Sequence, residues 1–375
     1  MSPLINPNNA HNFSGGPGAL PQSVLEQVQQ AILCEPDTGL SILGISHRSD
    51  WFAGVLAEVQ QNIRQLLGID TNYQVLMLQG GATQQFSQIP MSFLNGQATP
   101  PDYLCTGYWS RKVLGEAERS ARLRVVWSGA SSDYRRLPED AELAFAPDAP
   151  YLHYVSNETV EGLQFHRLIG HPDVPRFCDM SSDFLSRPID ATQFSFIYAH
   201  AQKNLGPAGV TLVLLREELL ERMPDQGLPG WLDYRQQVRA QSNYNTPPVF
   251  AIYVVLLVTR WLLHEIGGLA AMHAINQRKA ARLYDLLDAS DGFYQGRAAP
   301  PDRSLMNVVF TLPTPELTAD FLAAAQRAGF YGLNGHRAIG GIRASLYNGL
   351  GLPAVEALID FMQSYQQQAT TRRWG

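Results

Sequence analysis

Cysteine is almost missing: Cys34, Cys105 and Cys178 are the only three in 375 residues. Three scattered thiols exclude a disulfide framework or a cysteine-based zinc motif, and their odd number suits a reducing compartment, which predicts a cytoplasmic chain. Charge is scarce as well. Charged residues make up 17% of the chain, below the ~25% usual for soluble domains, which excludes a disordered or highly charged tail protein. There is no basic excess, since the formal net charge is −6. The chain therefore carries no electrostatic footprint for nucleic acid or an anionic membrane, and any anion it binds must be held by local geometry. A long hydrophobic run is missing too. The greasiest stretch, 249–263, contains Arg260 and falls short of the ~20 residues that span a bilayer, so a buried helix is expected there. The opening MSPLINPNNAHNFSGGPGALP has neither a basic start nor an apolar run, and no secretory signal is expected.

What is present is a large apolar fraction, 45%, in a chain longer than one ordinary domain, so two domains or one α/β domain with an appendage are expected. Short apolar runs at 73–78, 123–127, 151–155, 177–180, 194–198 and 210–215 alternate with helical or loop stretches. That alternation predicts a mainly parallel sheet with helices on both faces. After Asn245-Thr246-Pro247-Pro248 the character changes: a long helical region to about Leu287 is interrupted at Gly267-Gly268, and a β-α-β-α pattern follows. The division is therefore set near residue 260, with 17–260 as the large domain and 1–16 plus 261–375 as a smaller α+β domain.

Four constellations carry chemistry. Gly80-Gly81-Ala82-Thr83 lies between a strand and a helix, where small residues and the helix N-terminus suit a phosphate; the same residues also suit a tight turn that binds nothing. The stretch lacks both the GxGxxG spacing of dinucleotide sites and the GKT ending of a P-loop, which weakens a nucleotide or nicotinamide reading. Lys203 follows an apolar strand directly, at the end where open α/β sheets bind ligands. Partial burial would lower its pKa and make the amine a nucleophile toward carbonyls. Asp179 ends another apolar run one crossover upstream. Lysine and acid on neighbouring strand ends are the equipment of a pyridoxal phosphate site, a Schiff-base lysine and a pyridinium partner, although Asp179 could equally cap the Ser181-Ser182 turn. Finally, His336, Arg337 and Arg343 stand among glycines in an acidic protein, and Ser46-His47-Arg48 forms a second group. Both are candidate anion sites, because arginine's planar fork matches carboxylate and phosphate.

With these residues in view, the chain resembles the phosphoserine aminotransferases, class V pyridoxal-phosphate enzymes of fold type I. The resemblance runs from Asn12-Phe-Ser-Gly-Gly-Pro-Gly18 through Gly107-Tyr108-Trp109, Ser156-Asn-Glu-Thr159, Asp179-Met-Ser-Ser182 and Gln202-Lys203-Asn-Leu-Gly-Pro-Ala-Gly209 to Arg343-Ala-Ser-Leu-Tyr-Asn348. It implies a large domain with a mainly parallel seven-stranded sheet between helices, and a small α+β domain that completes the substrate site. It also implies that Lys203 carries the cofactor and shuttles the proton, Asp179 pairs with the pyridine nitrogen, Trp109 stacks on the ring and Thr159 bonds its phenolic oxygen. Ala82, Thr83 and Gln202 would hold the phosphate, with Asn245 and Thr246 reaching it from the neighbouring subunit of a homodimer. Arg48 and Arg343, with His47, would take substrate carboxylate or phosphate, and His336 with Arg337 would recognise phosphate. Some family members have an arginine where Thr83 stands.

The reaction so implied passes the amino group of glutamate to 3-phosphohydroxypyruvate, giving O-phosphoserine and 2-oxoglutarate. Phosphohydroxythreonine, an intermediate of pyridoxine biosynthesis, is a second substrate to consider. Alternatives are an alanine:glyoxylate-type aminotransferase, a cysteine desulfurase and a non-catalytic pyridoxal phosphate carrier. The desulfurase lacks a cysteine flanked by small residues, and the carrier would have little use for the lysine, aspartate and tryptophan together.

Overall fold

The computed structural model describes residues 10–94, 98–223 and 227–372. Its centre is a seven-stranded sheet built from β1 (Tyr73–Gln79), β2 (Asp102–Cys105), β3 (Arg124–Ser128), β4 (Leu152–Val155), β7 (Arg176–Asp179), β8 (Phe196–His200) and β9 (Val210–Arg216). A two-stranded hairpin, β5 (Asn157–Glu158) and β6 (Leu163–Gln164), follows β4. The strand order is β1-β9-β8-β7-β4-β2-β3, and β9 alone runs antiparallel to its neighbours. Buried side chains alternate between the two faces along every strand except the edge strand β3, as a period of two requires when both faces are covered. Val75, Met77, Leu104, Tyr154, Cys178, Ile197 and Leu212 face one core, whereas Leu76, Leu78, Tyr103, Val155, Phe177, Tyr198 and Val213 face the other.

Helices α1 (Gln22–Leu33) and α2 (Asp50–Leu67) cover the first face, and α3 (Ala82–Phe93) and α4 (Tyr108–Ala117) the second. Helix α2 shows why its stretch is helical. Ser49 accepts the Phe52 N–H at the N-cap, Phe52, Val55, Leu56, Val59 and Ile63 form the buried stripe, and Gly68 closes the C-terminus at φ 64°. Two short helices, α5 (Glu217–Arg222) and α6 (Tyr234–Arg239), precede α7 (Val249–Arg260). Residues 251–259 of α7 are all buried, and a π-turn over Trp261–Glu265 ends the greasy stretch. Among the described residues no single helix is long and apolar enough to cross a membrane.

Helix α8 (Leu269–Asp288) joins two cores: Leu269 and Met272 belong to the sheet's core, and Ala280, Leu283, Tyr284 and Leu287 to a second. The second core lies between an antiparallel sheet of β10 (Gln295–Gly296), β11 (Asn307–Thr311) and β12 (Ile342–Ser345) and helices α9 (Pro315–Arg327) and α10 (Leu352–Arg372). Phe13 is part of it, and its backbone bonds to Tyr331 and Ser345 draw the N-terminal segment against this unit.

Strand β2 and helix α4 were absent from the expected elements. Strand β2 spans only four residues and begins with Asp102, which reads as polar although it is buried in an ion pair with Arg124.

Candidate active site

Strands β4, β7 and β8 are parallel and in register, so Val155, Asp179 and Tyr198 end up side by side at their C-terminal ends. Chain leaving a parallel sheet at these ends must turn, which gathers polar side chains in one crevice. The crevice here is a cavity of about 180 Å³ lined by Gly81, Ala82, Thr83, Trp109, Thr159, Asp179, Ser182, His200, Gln202 and Lys203 among others. It thereby collects seven of the residues singled out from the sequence.

Lys203 is buried, and its Nζ donates to Thr159 Oγ1 at 2.7 Å and Ser182 Oγ at 2.9 Å. Burial brings the amine down to about 8, with Asp179 pulling it up and Arg343 pushing it further down. The ammonium sits 5.4 Å from the centroid of Trp109. Asp179, the last residue of β7, accepts the Ser181 N–H at 2.8 Å, so it caps the turn and lines the cavity at once. Its burial raises it above the usual carboxylate value, while Ser181 and Lys203 hold it back.

The turn from β1 into α3 needs Gly80, whose φ of 93° favours glycine. Its N–H donates to Gly209 O and its carbonyl accepts the Thr211 hydroxyl. Gly81 is then the N-cap of α3, and Ala82 and Thr83 open its first turn with no side chain occupying the free N–H groups. An anion-binding helix start thus faces the lysine and acid across the cavity.

Trp109 rides on the first turn of α4, and that turn is fixed by two buried carboxylates that sequence reasoning missed. Glu158 accepts the N–H groups of Trp109 and Ser110 at 3.0 Å each and the Thr106 hydroxyl at 3.1 Å. Glu161 accepts the Tyr108 N–H at 2.8 Å. Gly107 has no Cβ because one would lie 2.5 Å from Glu161 Oε2 and 2.7 Å from the Glu158 carboxyl carbon. Burial and the neighbouring Glu158 push Glu161 up to about 8. Acids in a polar stretch read as surface, so only their contacts with the Tyr108, Trp109 and Ser110 N–H groups disclose them. Ser182 and His200 were also missed, although Ser182 stood within a quoted motif.

The remaining expected residues lie outside the cavity lining. Arg343, on β12, comes nearest: its Nη1 donates to Thr159 O at 3.4 Å, and its guanidinium fills the space that a Cβ on Gly15 would need. His336 packs against Tyr108 with the rings tilted by 54° and 4.5 Å between centroids, while Arg337 is exposed beside it. His47, Arg48, Asn245 and Thr246 are also absent from the lining. Asn243 Nδ2 donates to His47 O, and Gln79 Nε2 donates to Thr246 O.

Residues 10–358 match the model of the class-V aminotransferase family. A phosphoserine aminotransferase of Geobacillus kaustophilus is 48% identical, over 96% of this chain and 99% of its own length. The solved phosphoserine aminotransferase of Bacillus circulans subsp. alkalophilus superposes with a TM-score of 0.92 at 44% identity, over 96% of this chain and 99% of that one. The pyridoxal-phosphate-bound phosphoserine aminotransferase of Trichomonas vaginalis gives a TM-score of 0.88 at 37% identity, over 94% and 99%.

Proposed function

The chain belongs to the class-V aminotransferase family, and from that premise we propose that it is a pyridoxal-phosphate-dependent phosphoserine aminotransferase, transferring the amino group of glutamate to 3-phosphohydroxypyruvate. The observation that carries this reading is the buried Lys203 amine facing Asp179 in one cavity, with a helix start for phosphate at its rim. The residues fit the cofactor. Trp109 offers a flat ring above the lysine, and its Nε1 is buried without a partner among the described residues. Thr159 and Ser182 offer hydroxyls beside the amine.

When bound, pyridoxal phosphate supplies a carbonyl that takes up the amino group and a protonated ring that draws electrons from the carbon losing its proton. Lys203 serves as the group that gives and takes the proton at that carbon. An amine near 8 is partly neutral at physiological pH, which suits both nucleophile and base. Asp179 holds the proton on the ring nitrogen, since a carboxylate at that end favours the charged partner. Trp109 covers one face of the ring and excludes water. Ala82, Thr83 and Gln202 hold the phosphate with the N–H groups of α3. Arg343 binds the substrate carboxylate; its half-buried guanidinium has an unpaired Nε and faces little competing water. His336 and Arg337, with Arg48 and His47, take the phosphate of phosphoserine or the side-chain carboxylate of glutamate.

Asn243, two residues before Asn245, donates to His47 O, and none of Asn245, Thr246, His47 and Arg48 lines this chain's own cavity. That supports a homodimer in which they serve the partner's site. We take residues 17–260 as the large, cofactor-binding domain and 1–16 with 261–375 as the small one; the two cores favour two units with Phe13 in the second, while Leu262, Leu269 and Met272 still pack in the first. The role is serine biosynthesis in the cytoplasm, with phosphohydroxythreonine of pyridoxine biosynthesis as a second substrate.

The test is turnover of 3-phosphohydroxypyruvate against glyoxylate with glutamate as donor. Strong preference for the phosphorylated acid, abolished in Lys203→Ala, is the expected result. Equal rates would remove the phosphate role, and a protein inactive with added pyridoxal phosphate would remove the whole reading.

A further inference from the structure

We propose that His200 is an additional ligand of the cofactor phosphate, donating a hydrogen bond from Nδ1 as a neutral imidazole. The inference rests on the pyridoxal phosphate reading above and deepens it, for no role has been given to this side chain.

Three observations lead there. His200 closes β8 three residues before Lys203 and lines the same cavity as Gly81, Ala82 and Thr83. Its ring edge lies against the N-cap of α3: a Cβ on Gly81 would sit 3.1 Å from Cε1 and 3.2 Å from Nδ1. Nδ1 is therefore at the end of the cavity where the free N–H groups of the helix collect.

Charge supplies the second argument. Of the side chains lining the cavity, Lys203 is the one that supplies positive charge at physiological pH, and it points to Thr159 and Ser182 and is engaged in the carbonyl chemistry, so the phosphate end depends on neutral donors. Thr83 brings a hydroxyl and no charge to the turn. A dianion placed there, with Asp179 also in the cavity, gains from every further donor the chain provides.

The hydrogen bonds of the ring decide its tautomer. Gly209 N–H donates to Nε2 at 3.4 Å, so Nε2 accepts and Nδ1 carries the proton. Burial, reinforced by Lys203, brings the imidazole down to about 4 and keeps it neutral at physiological pH. A neutral ring with its one N–H on the nitrogen nearer Gly81 acts as a donor that needs no counterion.

The experiment compares pyridoxal phosphate with pyridoxal, which lacks the phosphate, by titrating each into cofactor-depleted protein and following binding by fluorescence. In His200→Ala the Kd for pyridoxal phosphate is expected to rise roughly tenfold or more, the loss of one hydrogen bond to a charged group, with pyridoxal affinity unchanged. His200→Asn, whose amide nitrogen falls close to Nδ1, should recover most of the loss. His200→Leu, similar in shape but without a donor, should not, and this pair reads the effect even if the alanine variant folds poorly. An unchanged Kd for pyridoxal phosphate in both apolar variants, an equal loss for both ligands, or no recovery with asparagine overturns the proposal. Failure of the unaltered protein to bind pyridoxal phosphate would overturn the cofactor reading itself, and this inference with it.

Discussion

Single residues in this site work because of what is buried beside them. Trp109 illustrates it: Glu158 fixes the backbone that carries the indole, because that carboxylate holds the Trp109 and Ser110 N–H groups. Replacing it with Glu158→Gln leaves one good acceptor where two oxygens served three donors. A loss of about 1–2 kcal/mol, the usual worth of an N-terminal cap, is expected in urea unfolding, together with faster escape of pyridoxal phosphate on dialysis. Glu161 adds a pH dependence. Its folded pKa, about 8, lies above the ordinary 4.5, with Glu158, Arg297 and Arg343 as the charged neighbours acting on it. The folded protein therefore holds a proton that the unfolded chain has lost between pH 4.5 and 8, so this contribution is complete below that window and is lost as pH rises through it. Glu161→Gln, neutral throughout, should become more stable relative to the unaltered protein between pH 5 and 8, as read from melting temperatures. A constant difference would refute the assignment. Lys203 and Asp179 were legible in the sequence because each follows an apolar strand. Glu158 and Glu161 were not, since nothing in their neighbours along the chain tells a buried acid from a solvated one.

At the scale of elements, polar clasps hold the small unit together and tie it to the residues around Lys203. Lys279 of α8 is fully buried and donates to the carbonyls of Leu346, Tyr347 and Leu350 at 2.9 Å each. Just beyond β12, the Asn348 N–H donates to Asn204, which in turn donates to Ser182 O beside Lys203. Lys279→Met fits the space but leaves three buried carbonyls without a donor. A destabilisation of roughly 2–5 kcal/mol is expected, measurable by denaturant titration. The N-terminal segment has a different task. Gly15 lies where a Cβ would come within 2.1 Å of the Arg343 guanidinium, whereas Tyr347 OH holds its carbonyl. Because the obstructed atoms are the tip of a flexible side chain, Gly15→Ala should displace Arg343 with little change in melting temperature. The expected signature is a several-fold higher KM for glutamate, about what one distorted charged hydrogen bond costs, and an unchanged KM would show that Arg343 does not bind the carboxylate. The sequence marked α7 by its uninterrupted apolar run, all of whose residues 251–259 are buried. It could not mark β2, whose four residues begin with a buried ion pair.

The whole molecule adds what no single chain provides. His47, Arg48, Asn245 and Thr246 do not line this chain's cavity, so in the proposed homodimer each site draws on both subunits. Mixing inactive Lys203→Ala chains with chains inactivated at 245–246 should restore about a quarter of the unaltered activity, since half of random dimers hold one intact site. No recovery after subunit exchange would refute the shared site. By itself, the sequence determined the alternation of strands and helices, the lysine and acid at strand ends and the glycine turn, because each is written in the spacing of neighbouring residues. Only the tertiary structure decided that the second core reaches back to Phe13, that buried glutamates hold Trp109, and that His200 faces the start of α3. Those facts depend on residues far apart in the chain meeting in a low-dielectric interior, where burial and partners set what a side chain does.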